Sequence, residues 1–459
     1  MPQLTSAPTR TPVKSRPGAT LTITSAATTL ALMNYTAPML TLPDMAASFS
    51  TPASAQAWLL NGTPLGLAVV LLIAGSLADD HGRRRVFLLG TLAFGLTTGL
   101  GAFATSTLTF TLARVAQGAA SAAVLASSLG LLAHAYPSGR DRVRATGVWG
   151  AFVSAGIALG PLLAGGLSLI DWRLAYEVLA VAALAVAALG TRTLAESRAP
   201  RGGRPDIAGA LALGLALAAL LTALTLGRDG WLRAPVGLLA GAAVALGAAF
   251  VAVERRSRTP MIDLALFRRP AFLAATSGAL FTGLAVIGLF SFLPALLRQA
   301  LGMSTLGAAW MFVLWSGTAF VVALQARRLA GRLSAPHQLG LGFVLSTAGV
   351  LGLLGSLSSP HGSWLRLLPG LFVAGVGSGL LNAALPRLAV DSVPPERAAM
   401  GSGANNTARY IGSSAGVALT IALSTAGADT ALLVSAALGL VGAAVTVRAS
   451  PTRRAGTRS

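Results

Sequence analysis

The 459-residue chain is too apolar and too sparsely charged for an ordinary soluble protein: 54% of it is hydrophobic, 10% is charged and the mean hydropathy is +0.72, where a soluble domain carries about a quarter charged residues. A formal net charge of +20 would suit a nucleic-acid partner, but the arginines lie in short stretches between apolar blocks and build no basic patch, which excludes that class. There is no cysteine, so disulfides and thiolate metal sites are excluded as well.

In chain order, residues 1–19 are polar and rich in Pro and Thr. They lack the order of charged segment, apolar core and small-residue cleavage site that marks a cleaved leader, and read as a cytoplasmic tail. Apolar blocks of about 20 residues then recur, the length that crosses a hydrocarbon core of about 30 Å. They predict fourteen membrane helices, over 20–42, 56–78, 86–105, 108–135, 145–168, 172–190, 207–226, 234–253, 271–297, 305–325, 338–357, 364–385, 400–423 and 430–447. Gly, Ala and Leu dominate these blocks, and small residues let membrane helices approach closely. A second tail covers 448–459. With the N-terminus inside, 27 of the 34 Lys and Arg fall in inner segments and five in outer loops, while Arg114 and Arg409 fall within spans. One missed span would invert every later loop, so the asymmetry argues for an even number of crossings, with both termini cytoplasmic and the chain integral to the plasma (inner) membrane.

Three segments carry chemistry. After the second span comes Gly75-Ser76-Leu77-Ala78-Asp79-Asp80-His81-Gly82-Arg83-Arg84-Arg85. A Gly near the membrane surface permits close helix packing, a carboxylate can pair with an Arg a turn away, and it can also cap a neighbouring helix N-terminus. Span four holds Arg114-Val115-Ala116-Gln117-Gly118; a guanidinium inside a membrane helix is expensive and marks a candidate functional group. Span five holds Gly156, Gly160, Pro161, Gly165 and Gly166, a smooth face with a helix-bending proline.

These segments resemble, in turn, the G-x-L-x-D-x-x-G-R-R/K-x loop, the R-x-x-Q-G motif and the G-x-x-x-G-P-x-x-G-G antiporter motif of the major facilitator superfamily, with Ala164 standing where the first of the paired glycines is expected. The resemblance implies a conformational latch at Gly75, Asp79, Gly82 and Arg83, and antiporter packing at Gly156, Gly160, Pro161 and Gly165. Asp206, Gly230-Trp231, Glu254 with the Pro260–Arg268 stretch, Leu368-Pro369-Gly370 and Asn406-Thr407-Ala408-Arg409 extend it over nearly the whole chain, and resemble the fourteen-helix drug:proton antiporter branch. What this implies is an all-α membrane protein: a six-helix half over 20–190, a two-helix insert over 191–270 and a second six-helix half over 271–447. It also implies a monomeric secondary transporter exporting lipophilic drugs or other small molecules by alternating access, with protons as the coupling ion. A metabolite importer of the same fold is the alternative, and a polytopic membrane enzyme a distant one.

One departure bears on coupling. Where the branch carries an Asp in the first span, this chain has Asn34, which cannot titrate. Glu177, in span six, is the remaining carboxylate placed to exchange protons; a pair with Arg173 on the same helix face is its competing role. Arg114, Glu177 and Arg409 are therefore the coupling candidates. Asn34, Tyr35, Gln117, Trp149, Trp310, Trp315, Asn382, Asn405 and Asn406 are candidates to line a substrate site, since amides orient ligands and aromatic faces supply apolar contact. The acid-poor interior points to neutral or weakly polar lipophilic compounds. No Gly-rich nucleotide loop is present, the four histidines lack metal-ligand spacing, and the visible acid pair, Asp79-Asp80, sits in the latch-like loop rather than at the site a membrane enzyme would need. No cofactor, metal or covalent catalysis is expected.

Overall fold

The computed structural model describes residues 16–198, 206–227, 230–257, 260, 262–328, 332–357, 364–424 and 426–448. Among them the chain is helical and contains no strand. The helices are α1 Pro17–Thr36, α2 Pro38–Ser48, α3 Ala53–His81, α4 Arg83–Ala102, α5 Thr107–Ala135, α6 Gly139–Leu167, α7 Arg173–Thr193, α8 Ile207–Leu226, α9 Ala234–Arg256, α10 Pro270–Phe281, α11 Gly288–Leu301, α12 Thr305–Gln325, α13 Ala335–Leu351, α14 Leu367–Asp391, α15 Ala398–Ser424 and α16 Ala428–Arg448. A π-helical turn, Thr282–Ile287, joins α10 to α11 without a break.

Prolines and glycines set the punctuation. Ala37 keeps helical dihedrals between α1 and α2, so the two form one bent unit, and the bend follows from Pro38, which has no N–H to donate. Gly82, at φ +116°, takes a conformation closed to other residues and lets α3 reverse into α4 within one residue. Ser106 opens α5 with a reciprocal capping box to Thr109. The α6 helix starts at Gly139 rather than 145, because its first turns extend past the apolar block and carry Arg140, Arg142 and Arg144. The α13 helix ends at Leu351, and residues 352–356 turn instead of continuing to 357.

Eleven of the described helical units are long and apolar enough to cross a membrane. By that measure α1, α13 and α15 fall short, and composition and length say why: α1 is threaded with threonines, α13 has 17 residues, and α15 carries Asn405, Asn406, Thr407 and Arg409. All three are nevertheless packed within the bundle. The α1–α7 helices gather into one group and α10–α16 into another, and the two meet along α3 with α15 and along α6 with α12 and α14. The α8 and α9 helices pair with each other, and α8 leans on α3 and α15. Close approach relies on small residues: Gly66 lies on the Val115 carbonyl and Gly118 on the Thr63 carbonyl, locking α3 to α5.

Candidate functional site

The basic loops collect at one end of the bundle, where the two groups are clamped. Asp79 sits in the last turn of α3, fully buried. Its carboxylate accepts from the Met400 N–H at 2.8 Å and the Ala399 N–H at 3.3 Å, capping α15. Such a cap satisfies donors that a helix start leaves free and places negative charge at the positive end of the dipole. Arg83, 4% exposed, donates its Nε to the Asp79 carboxylate at 2.8 Å, Nη1 to the Gly130 carbonyl, and Nη2 to the Pro395 and Glu396 carbonyls at 3.0 Å. The pair thus stitches α3 and α4 to α5 and to the entry of α15. Gly75 meets the Ala399 carbonyl, so any side chain there would push α15 away. Asp80 adds a longer contact of 3.9 Å to Arg397.

A second, more open link lies beside it. Arg142 at the start of α6 reaches Asp391 at the end of α14 at 3.3 Å, and Arg387 reaches the same carboxylate at 3.5 Å. They border a cavity of about 680 Å³ that Arg140, Arg144 and Arg328 also line. Glu196 was not singled out by the sequence. It caps α4, accepting from the Arg84 and Arg85 N–H groups at 3.0 and 3.2 Å; an isolated acid in a polar loop gives no sign of which helix it will cap.

Midway along the bundle lie two polar clusters. Pro38 leaves the Asn34 carbonyl without its helical donor, and Arg114 of α5 supplies one, Nη1 to Asn34 O at 2.9 Å. The same guanidinium bonds the Asn34 side-chain oxygen, Gln117 Oε1 at 3.0 Å and, through Nη2, the Tyr35 carbonyl at 3.4 Å. Gln117 passes the link to the Thr97 carbonyl at 3.1 Å. Across the seam, Arg409 Nη2 donates to Asn382 Oδ1 at 3.1 Å, and Asn382 Nδ2 to Ser154 Oγ at 2.8 Å. Tyr35 bridges the clusters: its backbone meets Arg114, its ring lies edge-on to Tyr410 at 5.7 Å, and its hydroxyl is 3.5 Å from Ser413. Trp315 stacks on Phe290 at 4.1 Å and donates to Ser378 at 3.0 Å. Between these groups remain two small cavities of about 20 and 60 Å³, both touching Tyr35 and Met39.

The structure therefore brings Tyr35, Trp315, Asn382 and Arg409 together at the seam, with Asn34, Arg114 and Gln117 in the adjoining cluster inside the first helix group and Arg409 well inside α15. Other candidates fall elsewhere. Trp310 is 59% exposed and lines neither cavity; at five residues from Trp315 it points to another side of α12. Trp149 is buried, and its indole N–H has no partner among the described residues. Asn405 ties α15 to the Ala275 carbonyl of α10, and Asn406 bonds back to Ser402 in its own helix. Glu177 is half-buried in the second turn of α7. The pairing with Arg173 weighed from sequence does not form: Arg173 donates instead to the Ala102 and Ala104 carbonyls, which the end of α4 leaves without helical donors. Ser154, Ser378 and Tyr410 were missed, because hydroxyls in apolar helices are common and only packing shows which ones face an amide or an arginine.

The glycine face of α6 lies on α1. Gly156 would meet the Thr29 carbonyl at 2.6 Å and Gly160 the Met33 carbonyl at 2.5 Å if given a Cβ. Pro161 frees the Ile157 carbonyl, which Thr36 Oγ1 takes up at 3.4 Å. Gly165 is looser, 3.2 Å from Leu40. Gly160→Val is expected to force α1 off α6 against backbone, where overpacking costs about 1–3 kcal/mol or more. A lowered melting temperature of the solubilised protein checks this; Gly165→Ala should melt like the parent.

A bundle of membrane-length helices, with charged clusters buried at its seam and a clamp at one end, defines a polytopic membrane transporter. The family description Major Facilitator Superfamily matches residues 24–417 and 339–458. The Multidrug resistance protein Stp of Mycobacterium tuberculosis is 34% identical over 382 residues, 82% of this chain and 70% of that protein. The Puromycin resistance protein pur8 of Streptomyces alboniger is 33% identical over 422 residues, 90% of this chain and 82% of its own. In fold, the crystal structure of the human organic anion transporter MFSD10 (TETRAN) superposes with a TM-score of 0.67 at 19% identity, covering 94% of this chain and all of that one. The chain belongs to the major facilitator superfamily, and is an integral membrane transporter rather than an enzyme.

Proposed function

We propose that this protein exports small lipophilic molecules across the plasma membrane by alternating access, in exchange for protons, as a monomer of the fourteen-helix drug:proton antiporter branch. The observation that carries the reading is the closed seam: Tyr35, Asn382, Trp315 and Arg409 meet between the two helix groups, under a clamp from Asp79 to the start of α15. A buried polar site between two bodies, with a clamp at one end, is the geometry that rocking transporters require. The names of the curated relatives, multidrug resistance and puromycin resistance proteins, favour export over import.

In this reading residues 20–190 and 271–447 are the two six-helix halves, and 191–270 holds the inserted pair. The α1–α2 unit, α13 and α15 also cross the bilayer; surrounding helices cover the polar groups that lower their hydropathy. The end where the basic loops gather faces the cytoplasm, as the excess of arginine there demands, and both tails lie on that side.

Proton exchange is assigned to Glu177. It follows Tyr176, whose ring lies 6.0 Å from the Arg114 guanidinium, and among the described residues no carboxylate lines either central cavity. The test uses inverted membrane vesicles with a panel of lipophilic dyes and antibiotics. An imposed proton gradient should drive dye uptake by the parent, and Glu177→Gln should lose at least about tenfold of the gradient-driven rate while dye–dye exchange persists. Equal gradient-driven rates in the two proteins would remove Glu177 from coupling.

A further inference from the structure

We propose that the central seam selects lipophilic organic anions, molecules with a carboxylate, sulfonate or acidic phenol on an aromatic body, and that Arg409 is the group that binds the acid. The proposal rests on the export reading and names its substrate class. Arg409 is 9% exposed near the middle of α15 and makes a single side-chain hydrogen bond, Nη2 to Asn382. Its Nε and Nη1 have no partner among the described residues, yet neither is packed out of reach, and the side chain lines the central cavity. Arg114, by contrast, spends its Nη donors on Asn34, Gln117 and Tyr35 and holds the first helix in place.

Charge decides the sign of the ligand. The ionisable neighbours of Arg409 are Tyr35 and Tyr410, and among the described residues no Asp or Glu lines either central cavity. Tyr35 lies between two guanidiniums, Arg114 and Arg409. A cationic drug would bring a third positive charge into a poorly solvated space with no counter-ion. An acid would supply the missing charge and accept the free donors of Arg409 in a forked pair. The stacked Phe290 and Trp315 rings, with Phe312 beside them, offer an apolar wall for the body of the molecule. The cavity, about 20 Å³, holds roughly one water, so the ligand enters only when the halves part.

Fluorescein and rhodamine 123 share a xanthene body and differ in the sign of their charge. Binding of each to the purified full chain in nanodiscs is followed by fluorescence anisotropy, beside uptake into inverted vesicles. The parent should bind fluorescein at least about tenfold tighter than rhodamine 123. Arg409→Gln should lose about tenfold in fluorescein affinity, the worth of one charge-assisted hydrogen bond, with rhodamine 123 unchanged or tighter. Arg409→Lys, which keeps the charge, should retain most of the fluorescein binding. A parent that prefers rhodamine 123, or an Arg409→Gln protein that loses both dyes equally, overturns the proposal. Fluorescein bound but never taken up would leave the anion site standing and end the export reading. Rhodamine 123 taken up with no fluorescein bound would do the reverse.

Discussion

Replacing Asp79 with alanine is expected to cut transport by about a hundredfold while leaving the protein folded in the membrane. The carboxylate serves α15 twice, through the Ala399 and Met400 N–H groups, and neutralises a buried arginine. Removing one partner of a buried pair costs about 3–5 kcal/mol, because the other charge is left uncompensated. That cost falls on the clamped state alone, since Arg83 can reach water once α3 and α15 part. The equilibrium therefore tips toward the open form, and a cycle that must pass through both forms slows. Asp79→Asn keeps an acceptor oxygen without the charge and should lose less. The chain has no cysteine, so Ser402→Cys, fully buried on α15, reports opening against no background. Maleimide labelling at that position should rise in the Asp79→Ala background; unchanged labelling together with unchanged transport would show that Asp79 holds no gate.

The second large effect concerns Arg114. Truncation to alanine strands the Asn34 carbonyl, the Asn34 amide oxygen and Gln117 Oε1 in a buried space. Each unsatisfied acceptor costs about 1–3 kcal/mol, so destabilisation of at least about 3 kcal/mol is expected, with most of the folded protein lost from the membrane. Arg114→Lys separates charge from geometry. An ammonium is a compact point charge and cannot span the Asn34 and Tyr35 carbonyls together. It should fold with a lowered melting temperature and transport at least about tenfold more slowly. A lysine variant equal to the parent in both measurements would mean that the forked geometry at the α1–α2 bend is dispensable.

Much of this was legible in the residues, and particular positions show where legibility stopped. The spacing from Gly75 through Asp79 to Arg83 announced a carboxylate–arginine pair near the membrane surface, and the pair forms with one oxygen contacting Nε and Nη2. Its partners on the second helix group, the N-terminus of α15 and the Pro395 and Glu396 carbonyls, lie more than three hundred residues onward; no local pattern encodes so distant a contact. Asn34 was read as a residue that cannot titrate, but its role as the ligand of Arg114 required the bend at Pro38 to be seen. Glu177 and Arg173 had the spacing of a helical pair, yet the free carbonyls ending α4 outcompeted the carboxylate. Trp310 and Trp315 looked alike in sequence, and only the rotation of α12 separated them.

By itself, the sequence determined the environment and the local grammar of the chain. Apolar length, scarce charge and the distribution of arginine place it in a membrane, because burying charge in hydrocarbon is costly at every position independently. Glycines and prolines mark where helices reverse, bend and expose carbonyls, because those constraints are intrinsic to single residues. Tertiary structure alone decided which donors meet which acceptors: Arg114 with α1, Asp79 with α15, Arg409 with Asn382 and with nothing acidic among the described residues. Those pairings depend on the order and rotation of helices in the bundle, and they are fixed by the summed packing of many small residues rather than by any one stretch of chain.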